Sequence, residues 1–357
     1  MKDPIRLGIV GTGAMAARMM HALAAIPDFT VHAVASRSEG RACEFAKGFD
    51  VPKSFGSSEE LSEQPDVEAV YICGQSGNHV SDGLAALKAR KPILLEKPLA
   101  TKLKDAKTLA NAARSGNCLL MENLWCLALP SYLELSERLN SQSYGKPVHL
   151  QFSFGYPVMR EGYPSIYDPQ DGGALLDRGV YGISLAIHLL GPAESVHAAA
   201  QFDENGTDLT TDVCISHVSG ATSQISVSLN ALMSNTAALS CTHGILQLGA
   251  PIVGSESLLC QQMSPEGIVR SSSHLGPTKA GFKSRLKSNP MLRKIKRFRD
   301  ATAAKFIPHG SDQYIPILEH FRNLIRGGRN ESNLIPLELS LATQEVLDQA
   351  RRQSRGA

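Results

Sequence analysis

A chain of 357 residues, 43% apolar and 20% charged, has an ordinary globular composition and is long enough for about two domains. Its formal charge of +2 excludes bulk attraction to nucleic acid, and no apolar run reaches the roughly 18 residues that span a membrane. Seven cysteines without a C-x-x-C pair predict free thiols and no metal site. With no signal peptide before the first apolar run, they also predict a cytoplasmic protein.

The first predicted element is a short buried strand at residues 7–10, followed by a helix that runs to Ile26. Between them Gly11, Gly13 and Ala16 form the pattern G-x-G-x-x-A, which in this strand–turn–helix context indicates a dinucleotide site. Gly11 permits the tight turn, Gly13 lets a pyrophosphate approach the backbone, and Ala16 lets the helix pack against the strand. The helix N-terminus offers its free N–H groups to the phosphates. The predicted cofactor contacts are Gly11, Thr12, Gly13, Ala14 and Met15.

The second strand, predicted at residues 29–36, ends in a pair of residues that bears on the choice of cofactor. An NAD site usually has an acid about here to hold the ribose 2′-hydroxyl. This chain has Ser36 and Arg37 instead. A hydroxyl and a guanidinium suit a 2′-phosphate, and Arg37 can also stack on the adenine. The sequence therefore favours NADP, with NAD as the alternative.

The next segments continue to alternate between helices and strands. Helices are predicted at 38–49, 58–63, 78–90 and 103–115, and the fourth, fifth and sixth strands at 68–73, 92–96 and 118–122. Strands that alternate with helices of this length pair in parallel, so residues 1–123 are predicted to form an α/β domain with a doubly wound sheet.

Beyond residue 123 the pattern changes, and residues 124–357 are predicted to form an α+β domain. Helices are expected at 129–139 and 174–190, strands at 149–154, 195–202, 213–218, 223–229, 236–242 and 245–248, and two last helices at 311–327 and 336–352. Successive strands without intervening helices predict an open, mostly antiparallel sheet. The C-terminal helix is free to pack back on the first domain.

A strongly basic run at residues 278–305 interrupts this domain, with ten lysines and arginines and one acid. It has two interpretations. The run is either a solvated insertion or a lid or contact surface for an anionic substrate, a lipid surface or a partner.

Three residues are candidates for chemistry. Lys97, in E-K-P, follows the fifth strand at the carboxyl end of the sheet, where ligands of such sheets bind, so it can transfer a proton or polarise a carbonyl. Asp177 and Tyr181 are four residues apart and share a helix face. A phenol can pass a proton, and a neighbouring Lys97 would lower its pKa. The alternatives are that Lys97 is only a surface lysine at a strand end, and that Asp177 and Tyr181 are a helix cap and a packed aromatic.

Three motifs together resemble one known family. They are the glycine turn, E-K-P-L-A at 96–100 and G-G-A-L-L-D-R-G-V-Y at 172–181. As a set they are similar to the glucose–fructose oxidoreductase / inositol dehydrogenase (Gfo/Idh/MocA) family, over residues 5–250 and again over 314–349. M-E-N-L-W at 121–125 most resembles the dihydrodiol dehydrogenase / xylose dehydrogenase branch.

The resemblance implies a Rossmann domain that holds a nicotinamide cofactor, and a second domain that carries substrate contacts or a subunit interface. By motif position, Lys97 matches the catalytic lysine, Tyr181 the acid/base and Asp177 the acid that holds a substrate hydroxyl. His79 matches a substrate-side histidine, and Glu96 is expected beside the cofactor. An open sheet also favours pairing with a second copy, so a homodimer or homotetramer is expected.

The resemblance predicts an NADP-dependent oxidoreductase that moves a hydride to or from a carbinol carbon of a small sugar, polyol or cyclic diol. The alternatives are a nucleotide-sugar dehydrogenase, a redox-neutral sugar enzyme with a recycled cofactor and a non-catalytic cofactor sensor. Substrate choice is assigned to loops such as 156–171. The chain departs from the family at residues 74 and 75, where Gly74 and Gln75 replace the usual Thr-Pro.

Overall fold

The computed structural model describes residues 3–263 and 304–356, and it begins with a six-stranded parallel sheet. The strands are β1 (Ile5–Val10), β2 (Phe29–Ala35), β3 (Lys53–Phe55), β4 (Ala69–Ile72), β5 (Ile93–Leu95) and β6 (Leu120–Glu122). They pair in the order β3-β2-β1-β4-β5-β6. Helices cover both faces of such a sheet, so its central strands β1 and β4 are apolar apart from the exposed Arg6 near the start of β1. The strand order reverses between β1 and β4, the position at which doubly wound sheets bind ligands.

The helices of this domain follow the predicted alternation. They are α1 (Ala14–Ala24), α2 (Glu39–Gly48), α3 (Ser58–Ser62), α4 (His79–Lys88) and α5 (Leu103–Gly116). In α1 the buried residues Ala16, Met19 and Leu23 recur every three or four positions, so one face of the helix packs on the sheet. The predicted doubly wound fold is confirmed. The third strand, which the sequence left unplaced, is the three-residue β3.

The second sheet has eight strands within the described residues. They are β7 (Pro147–Gly155), β8 (Ala193–Phe202), β9 (Asp208–His217), β10 (Thr222–Ser228), β11 (Thr236–Cys241), β12 (Gly244–Leu248), β13 (Ser257–Gln262) and β14 (Ala304–Phe306), in the order β14-β13-β12-β11-β7-β10-β9-β8. All neighbouring pairs are antiparallel except β7 and β10. The predicted open, mostly antiparallel sheet is confirmed, and that one parallel pair makes it mixed.

Four further helices pack against this sheet or against the first domain. They are α6 (Pro130–Asn140), α7 (Val180–Leu190), α8 (Ile315–Arg326) and α9 (Leu337–Ser354). A π-helical turn, Leu175–Gly179, leads into α7, where the sequence predicted one regular helix. On α9, Asp348 accepts from the backbone N–H of Leu103, and Arg351 donates to the carbonyls of Thr101 and Gln170. The last helix thus packs on both domains.

Two sequence expectations bear on the rest of the chain. Among the residues the structure describes, no helix is long and apolar enough to cross a lipid bilayer. The basic run at 278–305 lies outside the described residues, apart from Ala304 and Lys305. Lys305 forms a 3.2 Å ion pair with Glu134 of α6.

Candidate active site

The glycine turn after β1 has the shape that a dinucleotide requires. Gly11 has φ of +123°, and a Cβ there would lie 2.9 Å from the backbone of Cys73 and Gly74, so only glycine fits. Gly13 is the N-cap of α1, and a Cβ on it would meet no atom within 4 Å. The first N–H groups of α1 have no partners within the helix and are available to a ligand at this end. The turn therefore fits a pyrophosphate group.

The end of β2 supplies the second part of the cofactor site. The Arg37 guanidinium is exposed and donates to the side-chain carbonyls of Gln75 at 2.7 Å and Asn78 at 3.5 Å. Thr12 reaches Ser36 from the glycine turn at 3.5 Å. The departure at Gly74-Gln75 therefore supplies an acceptor that holds Arg37 above the turn. A fixed guanidinium next to a hydroxyl fits an additional phosphate.

Lys97, Asp177 and Tyr181 converge although they come from distant parts of the chain. Lys97 Nζ donates to Oδ1 of Asp177 at 2.7 Å and to the Asp177 carbonyl at 2.8 Å. The same ammonium lies 5.1 Å from the centroid of the Tyr181 ring. Lys97 follows β5, so the cluster lies at the same edge of the sheet as the glycine turn. The arrangement places an ammonium, a carboxylate and a phenol within reach of one small ligand.

The Tyr181 hydroxyl has a hydrogen-bond partner that the sequence did not predict. It accepts a hydrogen bond from the indole Nε1 of Trp125 at 3.1 Å. Burial raises the pKa of Tyr181 well above its usual range, and the Glu96 carboxylate raises it further. The expected lowering of this pKa by Lys97 is therefore wrong for this arrangement, because the phenol is buried and the ammonium is engaged by Asp177.

Glu96 lies beneath the cluster and is buried. Its Oε1 accepts from the Tyr71 hydroxyl at 2.7 Å and from the Asn123 amide at 2.5 Å. Burial raises the pKa of Glu96, and its hydrogen bonds to Tyr71 and Asn123 act against the rise. These bonds fix the end of β5, and with it the backbone that carries Lys97. The expected contact of Glu96 with a cofactor stays a prediction.

His79 begins α4 and is 1% exposed. Its Nδ1 donates to the Pro98 carbonyl at 2.9 Å, so it supports the loop that carries Lys97. Burial lowers its pKa to about 4, which leaves the imidazole neutral at pH 7. This buried position neither shows nor excludes the predicted contact of His79 with a substrate, which stays a prediction.

Two aromatic residues of the cluster were not singled out as site residues from the sequence. Trp125, the one tryptophan of the chain, follows the carboxyl end of β6 and packs on Tyr314 with 4.8 Å between ring centroids. The guanidinium of Arg18, on α1, lies over the Tyr314 ring, 5.3 Å from the ring centroid. Trp125 could have been found from its position after a strand. Tyr314 lies far along the chain and carries no such signal.

The described residues include no group of three histidine, cysteine, aspartate or glutamate side chains placed to hold a metal ion. The seven cysteines all lie within residues 3–263 and are free thiols. The ammonium, carboxylate and phenol of the cluster offer proton transfer and hydrogen bonding, and the glycine turn offers a place for a dinucleotide.

Two family profiles match most of the chain. Residues 5–124 match the profile of the Gfo/Idh/MocA oxidoreductase family with its NAD-binding Rossmann fold, and residues 132–247 match the Gfo/Idh/MocA C-terminal domain. A trans-1,2-dihydrobenzene-1,2-diol dehydrogenase from Mus musculus is 30% identical over 356 residues, covering 98% of this chain and 96% of the relative. The Homo sapiens protein of the same name is 32% identical over 252 residues, covering 69% of this chain and 75% of the relative.

Solved structures show the same fold. A 3-ketoreductase from Actinomadura kijaniata, crystallised with NADP and TDP-benzene, superposes with a TM-score of 0.78 at 25% identity, covering 98% of both chains. An aldose-aldose oxidoreductase from Caulobacter crescentus, crystallised with glycerol, superposes with a TM-score of 0.78 at 18% identity. The match covers 99% of this chain and 98% of that chain.

Proposed function

The chain belongs to the Gfo/Idh/MocA family of NAD(P)-binding oxidoreductases, and from that premise we propose a specific reaction for it. The enzyme transfers a hydride between NADP and a carbinol or carbonyl carbon of a cyclic diol, sugar or polyol. The observation that carries the proposal is the convergence of Lys97, Asp177 and Tyr181 at the edge of the sheet that holds the glycine turn.

The chain's own residues divide the work. A bound nicotinamide would supply the acceptor or donor of the hydride. Tyr181 transfers the proton of the substrate oxygen, and the Lys97 ammonium stabilises negative charge that develops on that oxygen. Asp177 accepts a hydrogen bond from a substrate hydroxyl and so orients the carbon that reacts. The short distances between Lys97 and Asp177 support a mechanism in which these residues act together on one substrate.

The cofactor choice follows from the residues at the end of β2. The turn from Gly11 to Met15 would hold the pyrophosphate, and Arg37 would pair with a 2′-phosphate. The hydrogen bond from Arg37 to Gln75 supports this assignment because it fixes the guanidinium while leaving it exposed. NADP is therefore proposed over NAD.

The test uses the purified chain with a panel of trans-1,2-dihydrobenzene-1,2-diol, aldoses and polyols, each with NADP+ and NAD+. We expect the nicotinamide absorbance to rise with a diol or a sugar, and at lower concentrations of NADP+ than of NAD+. Lys97→Met should abolish most turnover and leave the affinity for NADP+ nearly unchanged. A variant with near-normal rates would contradict the mechanism, and tight NADP+ binding without turnover on any substrate would indicate a cofactor sensor.

A second substrate class is favoured by two observations. The Actinomadura kijaniata relative was crystallised with a TDP-linked ligand, and the basic run at 278–305 would suit a nucleotide-sugar phosphate. UDP- and TDP-sugars therefore belong in the same panel. Oxidation of a nucleotide sugar without oxidation of free sugars or diols would select this alternative, whereas net conversion of a sugar without added cofactor would indicate a redox-neutral enzyme.

Pairing of two copies and a cytoplasmic location are also proposed. The outward face of the second sheet carries a row of adjacent uncharged residues, Gln224, Gln151, Ala238 and Gln247. An open sheet with an uncharged outward face suits a second copy, and light scattering that gives a monomer would contradict this proposal. Seven free cysteines suit a reducing compartment, which imaging of a tagged protein in cells would check.

A further inference from the structure

Arg178 lies directly behind the candidate active site and is only 1% exposed. Its Nη1 donates to the backbone carbonyls of Tyr156, at 2.8 Å, and Ser228. Among the described residues, no acceptor lies within hydrogen-bonding distance of Nε or Nη2. A buried charged group is costly unless its polar atoms are paired, so these free donors require an explanation.

The free Nε lies near the carboxylate that the mechanism uses. Nε of Arg178 lies 3.8 Å from Oδ2 of Asp177, while Lys97 Nζ lies 2.7 Å from Oδ1. Consecutive side chains of a regular helix do not face each other, yet these two approach within the π-helical turn. The carboxylate of Asp177 is therefore flanked by one cation at each oxygen.

The guanidinium is also held rigidly by aromatic rings. Its central carbon lies 4.0 Å from the centroid of the Tyr156 ring and 5.3 Å from that of Phe154. A planar guanidinium stacks well on such rings. Tyr156 begins the loop assigned to substrate choice, so one buried side chain contacts both that loop and Asp177.

Lys97 has conflicting tasks in this arrangement. Two of its three N–H groups are donated to Asp177, yet the proposed reaction needs the same ammonium at the substrate oxygen. When Lys97 turns to the substrate, Oδ1 of Asp177 loses its partner. A small rotation of the carboxylate would then bring Oδ2 within hydrogen-bonding distance of Arg178.

We propose that Arg178 is a positioning residue that holds the Asp177 carboxylate in place while Lys97 acts on the substrate. The inference rests on the proposed function, because it gives Arg178 a part in orienting the same substrate hydroxyl. The fixed guanidinium limits the positions that Asp177 can take, and the substrate carbon is oriented accordingly.

The first test needs no substrate. A crystal structure of Lys97→Met removes the partner of Oδ1 and leaves Arg178 intact. We expect Oδ2 of Asp177 to move to about 3 Å from Nε, a normal hydrogen-bond distance. A carboxylate that turns towards solvent, or stays 3.8 Å away, would overturn the proposal. This result does not depend on which reaction the enzyme catalyses.

The second test is a double-mutant cycle on the substrate that the wild type oxidises best. Arg178→Met should raise KM for that substrate and lower kcat/KM by roughly 10- to 100-fold, as expected for a lost hydrogen bond to a charged group. In an Asp177→Asn background the same change should have little further effect. Arg178→Lys should recover part of the loss, because a lysine restores the charge without the planar fork.

Arg351→Met is the matched control, since Arg351 also donates to backbone carbonyls but does not contact Asp177. Its effect should be the same with and without Asp177→Asn. If the effect of Arg178→Met is also the same with and without Asp177→Asn, Arg178 has only a structural role. The same conclusion follows if Arg178→Met fails to fold and Arg178→Lys changes the stability of the protein but not KM. A wild type that neither oxidises an alcohol nor reduces a carbonyl substrate would refute the proposed function, and the Lys97→Met structure would still decide the role of Arg178.

Discussion

Tyr181 is a buried phenol whose high pKa determines when it can give or take a proton. Burial and the Glu96 carboxylate raise that pKa well above its usual range, so the hydroxyl stays protonated at neutral pH. A protonated phenol is ready to donate to the oxygen of a carbonyl substrate. The residue is therefore better prepared for carbonyl reduction than for oxidation of an alcohol.

A pH profile should show this asymmetry. In the reducing direction we expect kcat/KM to be level through neutral pH and to fall only above about pH 10, the usual pKa of a phenol. In the oxidising direction it should rise with pH, because the phenolate is the form that accepts the proton. Tyr181→Phe should lower kcat by roughly 10²- to 10⁴-fold, the usual worth of a general acid.

Trp125→Phe provides the control for the assignment. The indole donates to the Tyr181 oxygen and stabilises the phenolate, so its removal should move the pH-dependent limb to higher pH. A reducing-direction profile that already falls near pH 7, or that Trp125→Phe leaves unmoved, would show that another group titrates.

The candidate residues could be found from the sequence to the extent that they lie in short motifs. Lys97 follows a recognisable strand, and Asp177 and Tyr181 are four positions apart on a predicted helix. Local spacing was therefore sufficient to predict all three as site residues. Trp125 and Arg178 lie within the quoted motifs, but their roles depend on side-chain contacts that spacing does not encode. The same reason explains the wrong expectation for the pKa of Tyr181, because burial is a tertiary property.

At the scale of elements, the three-residue 3₁₀ turn Ser76–Asn78 contacts the second domain closely. Ser76 donates to the carbonyl of Asp171 at 2.7 Å. A Cβ on Gly77 would lie only 2.2 Å from the Asp171 carboxylate. Because Gln75 of the preceding loop holds Arg37, the segment links the expected cofactor site to the end of the substrate loop.

Gly77→Ala should displace the Asp171 carboxylate from the turn. Because the nearest atoms belong to the end of a side chain that can turn away, we expect a loss of at most about 1 kcal/mol in the free energy of unfolding, the low end for overpacked sites, together with a higher KM for substrate. Urea titration and steady-state kinetics measure the two effects. Asp171→Ala in the same chain should relieve the clash and restore most of both values.

Gly48→Ala is the control, because it lies at the end of α2 and its Cβ would meet no atom within 4 Å. It should leave KM unchanged and stability equal or slightly higher. If Gly77→Ala behaves like this control, the contact with Asp171 does not restrict the loop.

Element prediction succeeded where periodicity is strong and failed where pairing is non-local. The alternation of strands and helices was sufficient to predict the doubly wound sheet. The three-residue β3 is too short to show a pattern, and β13 was missed. The parallel pairing of β7 with β10 joins strands far apart in sequence, which no local pattern records.

At the scale of the whole molecule, two buried groups give the free energy of unfolding opposite dependences on pH. Burial lowers the pKa of His79 from 6.5 to about 4. The unfolded chain therefore takes up a proton first as pH falls, and stability decreases from pH 6.5 to 4. Burial raises the pKa of Glu122 from 4.5 to about 7. The folded chain keeps that proton longer, so stability decreases as pH rises from 4.5 to 7.

Each shift corresponds to about 3 kcal/mol, since one pKa unit is about 1.4 kcal/mol. Between pH 4.5 and 6.5 the two slopes cancel, and single substitutions should separate them. Glu122→Gln keeps the acceptor for the Leu99 N–H, and with it stability should increase with pH across this window. His79→Asn keeps a donor for the Pro98 carbonyl, and with it stability should decrease across the same window.

Urea unfolding of the wild type and both variants at several pH values measures these slopes, and comparison with the wild type cancels the groups that all three share. Glu122→Gln should also be the more stable protein at pH 8, by up to about 3 kcal/mol, because it no longer buries a carboxylate there. Slopes of the same sign in the two variants would show that one of these groups is solvated. Equal stability of wild type and Glu122→Gln at pH 8 would identify Glu122 as that group.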